Sequence, residues 1–176
     1  LPDIALVSAT GSCNMGRTVG ARVAKRMGRS LLELGGNNAM IVCPSANLEL
    51  AIRAIIFSAL GTSGQRCTTL RRLIVHESLK DDLLAKLTNI YASVKIGDPF
   101  VEGNLMGPVI NQQAINAMKS SIKKGINQGG ELIAGGEVIN NLEVGDGFYI
   151  KPALMVVSSD APIIQKETFA PLLYLH

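Results

Sequence analysis

"IALVSATGSCNMGRTVGARVAKRMGRSLLELGG", residues Ile4 to Gly36, decides the class of the fold. "IALVSAT" is a short apolar run rich in strand formers. "GSCNMG" follows as a glycine-bearing turn. Val19, Val23 and Met27 then recur at helical spacing, with Arg17, Arg22, Lys25 and Arg26 on the other faces. "SLLELGG" reads as a second strand closed by two glycines. Strand, helix and strand in this order predict an α/β architecture.

The same alternation continues downstream. "AMIVC" is a strand candidate, with Cys43 at its apolar end expected in the core. A helix is predicted from near Asn47, with Leu48, Ile52, Ile55, Ile56 and Ala59 inward and Gly61 at its end. "LRRLIVH" predicts a strand. Ser78 and Asp81 have capping-box spacing, and Leu79, Leu83, Leu87, Ile90 and Val94 form the apolar stripe of the helix that follows. A further helix spans about Gln112 to Gln128, with Ile115, Met118, Ile122 and Ile126 inward. "GGELIAGG" is a short strand between turns. "FYIKPALMVV" is strand-like, but Pro152 predicts an edge or an interruption.

Composition narrows the function. Of 176 residues, 47% are hydrophobic and 18% charged, the balance of a globular chain rather than a disordered one. No apolar run reaches the roughly 18–20 residues needed to span a bilayer. The net charge of +3 is scattered, and aromatics are only 4%, which argues against a nucleic-acid partner. Three widely spaced cysteines argue against a disulfide framework and for a reducing compartment. With two histidines and no CxxC, a metal site is not expected. The chain opens at Leu1 rather than methionine and stops inside "APLLYLH", which reads as a strand cut short. It is therefore expected to be part of a longer polypeptide.

Three features could carry chemistry. The turn between Gly11 and Gly16 leads into a helix N-terminus, where free N–H groups and the helix dipole suit a phosphate; an ordinary tight βα turn is the alternative. Glu33 ends an apolar strand, where α/β proteins place functional groups, and a partly desolvated carboxylate suits a general base; a solvated strand-end Glu is the alternative. Cys67, in "GQRCTTLRR" (Gly64–Arg72), lies in a polar loop with Arg66, Arg71 and Arg72 nearby. It is either a nucleophile or a buried thiol. Cys13 has no evident partner, His76 reads as a surface or capping residue, and of Arg71 and Arg72 one can be solvated and the other paired.

In order, "TGS" with Gly16, "ELGG", "FSALGTSGQRC" and "KETFAP" resemble the aldehyde dehydrogenase superfamily, as does the separation of Glu33 and Cys67 by 34 positions. "ELGGNN" and "GQRCTTLRRLIVHES" are similar to its antiquitin-like branch, the α-aminoadipic semialdehyde dehydrogenases; many other branches have lysine at the position of Asn37. The resemblance covers the whole chain. It implies the end of a Rossmann-like coenzyme domain over residues 1–36, followed by part of an α/β catalytic domain over 37–176.

The resemblance also implies roles. Cys67 would attack the aldehyde as nucleophile, and its backbone N–H would form half of an oxyanion hole. Glu33 would activate the water that hydrolyses the thioester. Gly11, Ser12 and Gly16 would cradle the pyrophosphate of NAD, the Leu34 backbone would meet the nicotinamide amide, Glu167 would hold the ribose and Phe169 would pack near the ring. Arg66, with Thr68 beside it, would recognise the carboxylate end of the substrate, for which a guanidinium offers bidentate pairing; structural packing is the other reading of Arg66. The family's oxyanion asparagine and its adenosine-binding residues have no counterpart here, so the isolated chain is expected to be inactive. A homotetramer, an intracellular site (cytoplasmic or mitochondrial) and a role in lysine breakdown are further implications. A non-catalytic relative would be expected to lose Cys67 or Glu33, and acylating relatives that use coenzyme A commonly lack the glutamate; both residues are present.

Overall fold

The computed structural model describes residues 3–139 and 146–176, which form two compact units, Leu1–Gly36 and Asn37–His176. The first unit is a parallel βαβ element: β1 (Leu6–Thr10), α1 (Cys13–Lys25) and β2 (Arg29–Glu33), in register from Leu6 opposite Arg29 to Thr10 opposite Glu33. Ser12 starts α1 by accepting a hydrogen bond from the Met15 N–H at 3.1 Å, which satisfies one of the orphan donors of a helix N-terminus. Val23 is buried, as its spacing predicts. Met27 is not: the helix ends at Lys25, and Met27 turns the chain in the left-handed region (φ 58°) with its side chain 96% exposed. The helical period runs past the point where the backbone leaves the helix.

The second unit is built on a five-stranded sheet. Its elements are β3 (Asn38–Val42), α2 (Leu48–Leu60), β4 (Leu70–Val75), α3 (Glu77–Ser93), α4 (Gln112–Asn127), β5 (Glu131–Ala134), β6 (Val138–Ile139), β7 (Tyr149–Ile150), β8 (Ala153–Val156) and β9 (Leu172–Leu175). The sheet order is β3-β4-β9-β8-β5, all parallel except β5, which runs antiparallel to β8. β6 and β7 form a separate antiparallel pair. Pro152 interrupts the strand-like run between β7 and β8, and β8 lies inside the sheet rather than at its edge.

Side-chain alternation along β8 and β9 sends residues to two apolar layers. Met155, Leu172 and Tyr174 pack with Ile115, Met118 and Ile122 of α4. Leu154, Leu173 and Leu175 pack with Ile55 and Leu60 of α2 and with Leu83 and Leu87 of α3. "LLYL" of β9 is buried throughout, as a parallel strand covered on both faces must be.

Local differences from the sequence reading have physical causes. Asn47 caps α2 and Gly61 closes it, as expected. Cys43 is exposed, because β3 ends at Val42 and the chain turns out of the sheet. α3 is capped by His76, whose Nδ1 accepts from the Ser78 N–H at 3.3 Å, so the helix starts earlier than the Ser78–Asp81 spacing implies. Ile126 of α4 is 49% exposed. Gly125 takes the inward position instead, where a Cβ would stand 2.7 Å from Met155 Cε.

Candidate active site

The second unit holds Cys67 in a four-residue turn between α2 and β4. The turn is closed twice: the Thr69 N–H donates to the Arg66 carbonyl, and the Arg66 N–H donates to Thr69 Oγ1, both at 3.1 Å. Asn38, at the start of the neighbouring β3, donates through Nδ2 to the Cys67 carbonyl (2.7 Å) and to the Thr69 carbonyl (2.9 Å). The turn is thus fastened to the sheet by its backbone, while the Cys67 and Thr68 side chains are left exposed. The Cys67 N–H has no acceptor among the described residues. A reachable thiol on a fixed backbone is what a nucleophile requires.

The approach to this turn is strained. Thr62, Ser63 and Gly64 have φ of 56°, 52° and 70°, a left-handed run that a β-branched threonine adopts only at a cost. Ser63 Oγ donates to the Gly107 carbonyl at 2.7 Å and helps to hold it. Gln65 bridges outward, donating from Nε2 to the Pro108 carbonyl and accepting the Ile110 N–H at Oε1 (2.8 Å).

The three arginines take three different positions. Arg66 lies back over α2: Nη2 donates to the Phe57 carbonyl at 3.0 Å, and the guanidinium carbon stands 5.0 Å from the Phe57 ring centroid. Gly61 leaves room for it, since a Cβ there would approach Arg66 Nη2 to 2.7 Å. Arg72 donates through Nε and Nη2 to the Asn37 carbonyl, and Asn37 in turn donates to the Ile164 carbonyl. Arg71 is 1% exposed. Its Nη1 donates to the Gly64 and Thr168 carbonyls, and its Nη2 to the Arg66 carbonyl (3.1 Å) and to Glu167 Oε1 (3.3 Å). Burial pulls this guanidinium below its ordinary value, and the charge and hydrogen bond of Glu167, with a smaller contribution from Cys67, pull it back up.

Glu167 and Phe169 therefore belong to one neighbourhood with the Cys67 turn. The Phe169 ring lies over Arg71 at 5.3 Å and is 44% exposed. It lines an open cleft of about 630 Å³ with Gln65, Pro108, Val109, Ile110 and Phe148.

Glu33, Leu34 and the glycine turn lie in the first unit. Glu33 is the exposed last residue of β2, and its carbonyl accepts the Gly11 N–H at 3.0 Å. Gly11 and Ser12 are exposed at the N-terminus of α1. Gly16 is buried against Leu34, whose Cδ1 would stand 2.5 Å from a Cβ at that position. The glycine thus sets how closely α1 approaches the end of β2.

Asn38 escaped the sequence reading, and of Arg71 it saw only that one of the two adjacent arginines can be paired, not with what. Asn38 fastens the Cys67 turn, and Arg71 joins that turn to Glu167. "LRR" shows that a strand carries two adjacent arginines, one of which must face inward; its carbonyl partners come from segments 64–66 and 167–168 and leave no local pattern. Among the described residues, no cluster of three or more His, Cys, Asp and Glu side chains could hold a metal ion, and no helix is long and apolar enough to cross a membrane.

The model of the Aldehyde dehydrogenase family matches residues 1–176. The chain is 45% identical over 172 residues to Aldehyde dehydrogenase family 7 member A1 of Pisum sativum, covering 98% of this chain and 33% of that protein. It is 42% identical over 171 residues to the Alpha-aminoadipic semialdehyde dehydrogenase of Rattus norvegicus, covering 97% of this chain and 31% of that protein. The crystal structure of betaine aldehyde dehydrogenase from Staphylococcus aureus in complex with NAD+ superimposes with a TM-score of 0.95 at 27% identity, over 99% of this chain and 35% of that one. The chain thus spans about a third of the length of the relatives it matches.

Proposed function

Because the chain belongs to the aldehyde dehydrogenase family, we propose that it is the nucleophile-bearing part of an enzyme that oxidises an aldehyde to a carboxylic acid with NAD. The observation that carries this reading is Cys67 itself: an exposed thiol on a turn fastened by Asn38, whose own N–H points to no protein acceptor among the described residues. Residues 1–36 are read as the end of the coenzyme domain and residues 37–176 as part of the catalytic domain. The division of the chain at Gly36 is consistent with that.

The Cys67 thiolate attacks the aldehyde carbon; a C–S bond forms and the carbonyl pair moves to oxygen, where the Cys67 N–H stabilises it. NAD, when bound, would supply the hydride acceptor that the passage from thiohemiacetal to thioester needs. Glu33 takes the proton of the water that attacks the thioester, and the acid leaves as the thiol is restored.

The residues fit such a coenzyme. The N-terminus of α1 is exposed at Gly11 and Ser12, where a pyrophosphate would meet the helix dipole while the Gly11 N–H stays on the Glu33 carbonyl, and Gly16 lets the helix close on Leu34. The Leu34 backbone would meet the nicotinamide amide, Glu167 the ribose hydroxyls and Phe169 the ring.

We read the substrate as α-aminoadipic semialdehyde. The rat relative carries that name, and Arg66 and Thr68 flank Cys67 in the chain; the Arg66 guanidinium, which lies over Phe57, would turn from there to meet the carboxylate end. The non-catalytic alternative is disfavoured by the presence of both Cys67 and Glu33. The isolated chain is proposed to be inactive, since two thirds of the length of its relatives is needed to complete the site. NADH formation by the whole polypeptide tests the reading: α-aminoadipic semialdehyde should be turned over, and Cys67→Ala should abolish turnover. Persistent turnover by Cys67→Ala would refute it.

A further inference from the structure

Arg66 and Cys67 share one peptide plane. Its carbonyl end, the Arg66 oxygen, accepts from the Thr69 N–H within the turn and from Arg71 Nη2 outside it, both at 3.1 Å; its amide end is the Cys67 N–H, the donor proposed to meet the developing oxyanion. Whatever turns the carbonyl turns the N–H by the same angle, because the peptide is planar. A hydrogen bond to the carbonyl also polarises the plane and strengthens its N–H as a donor.

The guanidinium is held rigidly enough to do this. Each terminal nitrogen bridges the same two segments: Nη1 reaches Gly64 on one and Thr168 on the other, and Nη2 reaches Arg66 on one and Glu167 on the other. The segments also touch through backbone, where Gly64 packs against Ala170 and Pro171. Phe169 covers the guanidinium, and Ser121 holds Thr168 by a 2.8 Å bond between their hydroxyls. An arginine buried this deeply is costly unless its position matters or its partners compensate, and only a planar fork can serve four acceptors in this arrangement.

We propose that Arg71 is a positioning residue that sets the Arg66–Cys67 peptide plane, and with it the direction of the Cys67 N–H, through the hydrogen bond it shares between the Arg66 carbonyl and Glu167. The inference rests on the reading of Cys67 as nucleophile and of its N–H as oxyanion donor. It assigns Arg71 no contact with substrate or coenzyme.

Two coenzyme-free reactions of Cys67 in the whole polypeptide separate this role from mere support of the fold. Hydrolysis of p-nitrophenyl acetate passes through a tetrahedral oxyanion: the thiolate forms a C–S bond, the C–O bond breaks and p-nitrophenolate leaves. Alkylation by iodoacetamide, followed at the Cys67 peptide by mass spectrometry, needs the same thiolate but forms no oxyanion. Arg71→Lys should slow ester hydrolysis by about tenfold or more, while Cys67 alkylation stays within about twofold of the parent rate. Equal losses in both reactions would reduce Arg71 to a structural role and overturn the proposal, as would unchanged ester hydrolysis. Should Arg71→Lys fail to fold, Glu167→Gln removes the carboxylate that holds Nη2, the nitrogen that also donates to the Arg66 carbonyl; it must show the same split, and the absence of that split would overturn the proposal. The Cys67→Ala protein distinguishes the underlying reading. If it still hydrolyses the ester and forms NADH, the nucleophile assignment fails. If it is inactive and Arg71→Lys shows no split, only the positioning role fails.

Discussion

Gly64 and Ala170 meet backbone to backbone, with no room between them for a side chain: a Cβ on Gly64 would collide with the Ala170 carbonyl. Gly64 is also left-handed, at φ 70°. The contact joins the approach to Cys67 with the segment that carries Glu167 and Phe169. Gly64→Ala should therefore cost roughly 2–4 kcal/mol, part from the left-handed backbone and part from overpacking. The urea midpoint should fall accordingly. An unchanged midpoint would mean that the two segments are not pressed together.

Tyr174 gives the stability a pH dependence. Its hydroxyl is buried beside the Ser121–Thr168 hydroxyl pair without a well-formed bond to either. Burial pushes its pKa up to about 12, against a smaller opposing effect of Thr168 and Ser121. Because the folded value lies above the unfolded value of 10.0, this contribution is complete below pH 10 and is lost as pH rises through the folded value. The gap corresponds to roughly 3 kcal/mol. Resistance to urea should fall between about pH 10 and pH 12, and Tyr174→Phe should remove that part of the fall. Identical pH profiles for both proteins would contradict the assignment.

His76 caps α3 through a single ring nitrogen. His76→Ala should cost about 1 kcal/mol, and His76→Asn should recover most of it, because an asparagine side chain accepts the same N–H. Thermal unfolding of the two variants checks this. No difference between them would show that the imidazole contributes nothing as a cap.

Arg66 is held by the Phe57 carbonyl and ring. If it reads the carboxylate end of the substrate, Arg66→Ala should raise KM for α-aminoadipic semialdehyde by about tenfold or more, the worth of a charge-assisted pair. A plain aliphatic aldehyde of similar length should be affected within about twofold. Equal effects on the two substrates would leave Arg66 as a packing residue of the α2–Cys67 loop.

Much of this molecule was legible in its sequence because its elements are locally specified. The glycine-bearing turn before α1, the start of α2 near Asn47 and the apolar stripe of α3 each fix an element from a few adjacent residues. What escaped depends on distance. Cys43 continues an apolar run, yet β3 stops one residue before it and leaves the thiol in solvent. Met27 keeps the helical period but lies beyond the point where α1 ends. Arg71 is the plainest case: its acceptors include carbonyls of the nearby 64–66 segment and oxygens of Glu167 and Thr168 almost a hundred residues away, and carbonyls have no sequence signature. Asn38 likewise looks like any strand-end asparagine until the fold sets it beside the Cys67 turn.

In the proposed reaction Cys67 becomes acylated and Glu33 clears the acyl group. The most direct test is mass spectrometry of the Glu33→Gln form of the whole polypeptide after incubation with aldehyde and NAD+. An acyl adduct should accumulate on the Cys67 peptide, and it should be absent when Cys67→Ala is added. An adduct on another residue, or steady turnover by Glu33→Gln with no adduct on Cys67, would contradict the account.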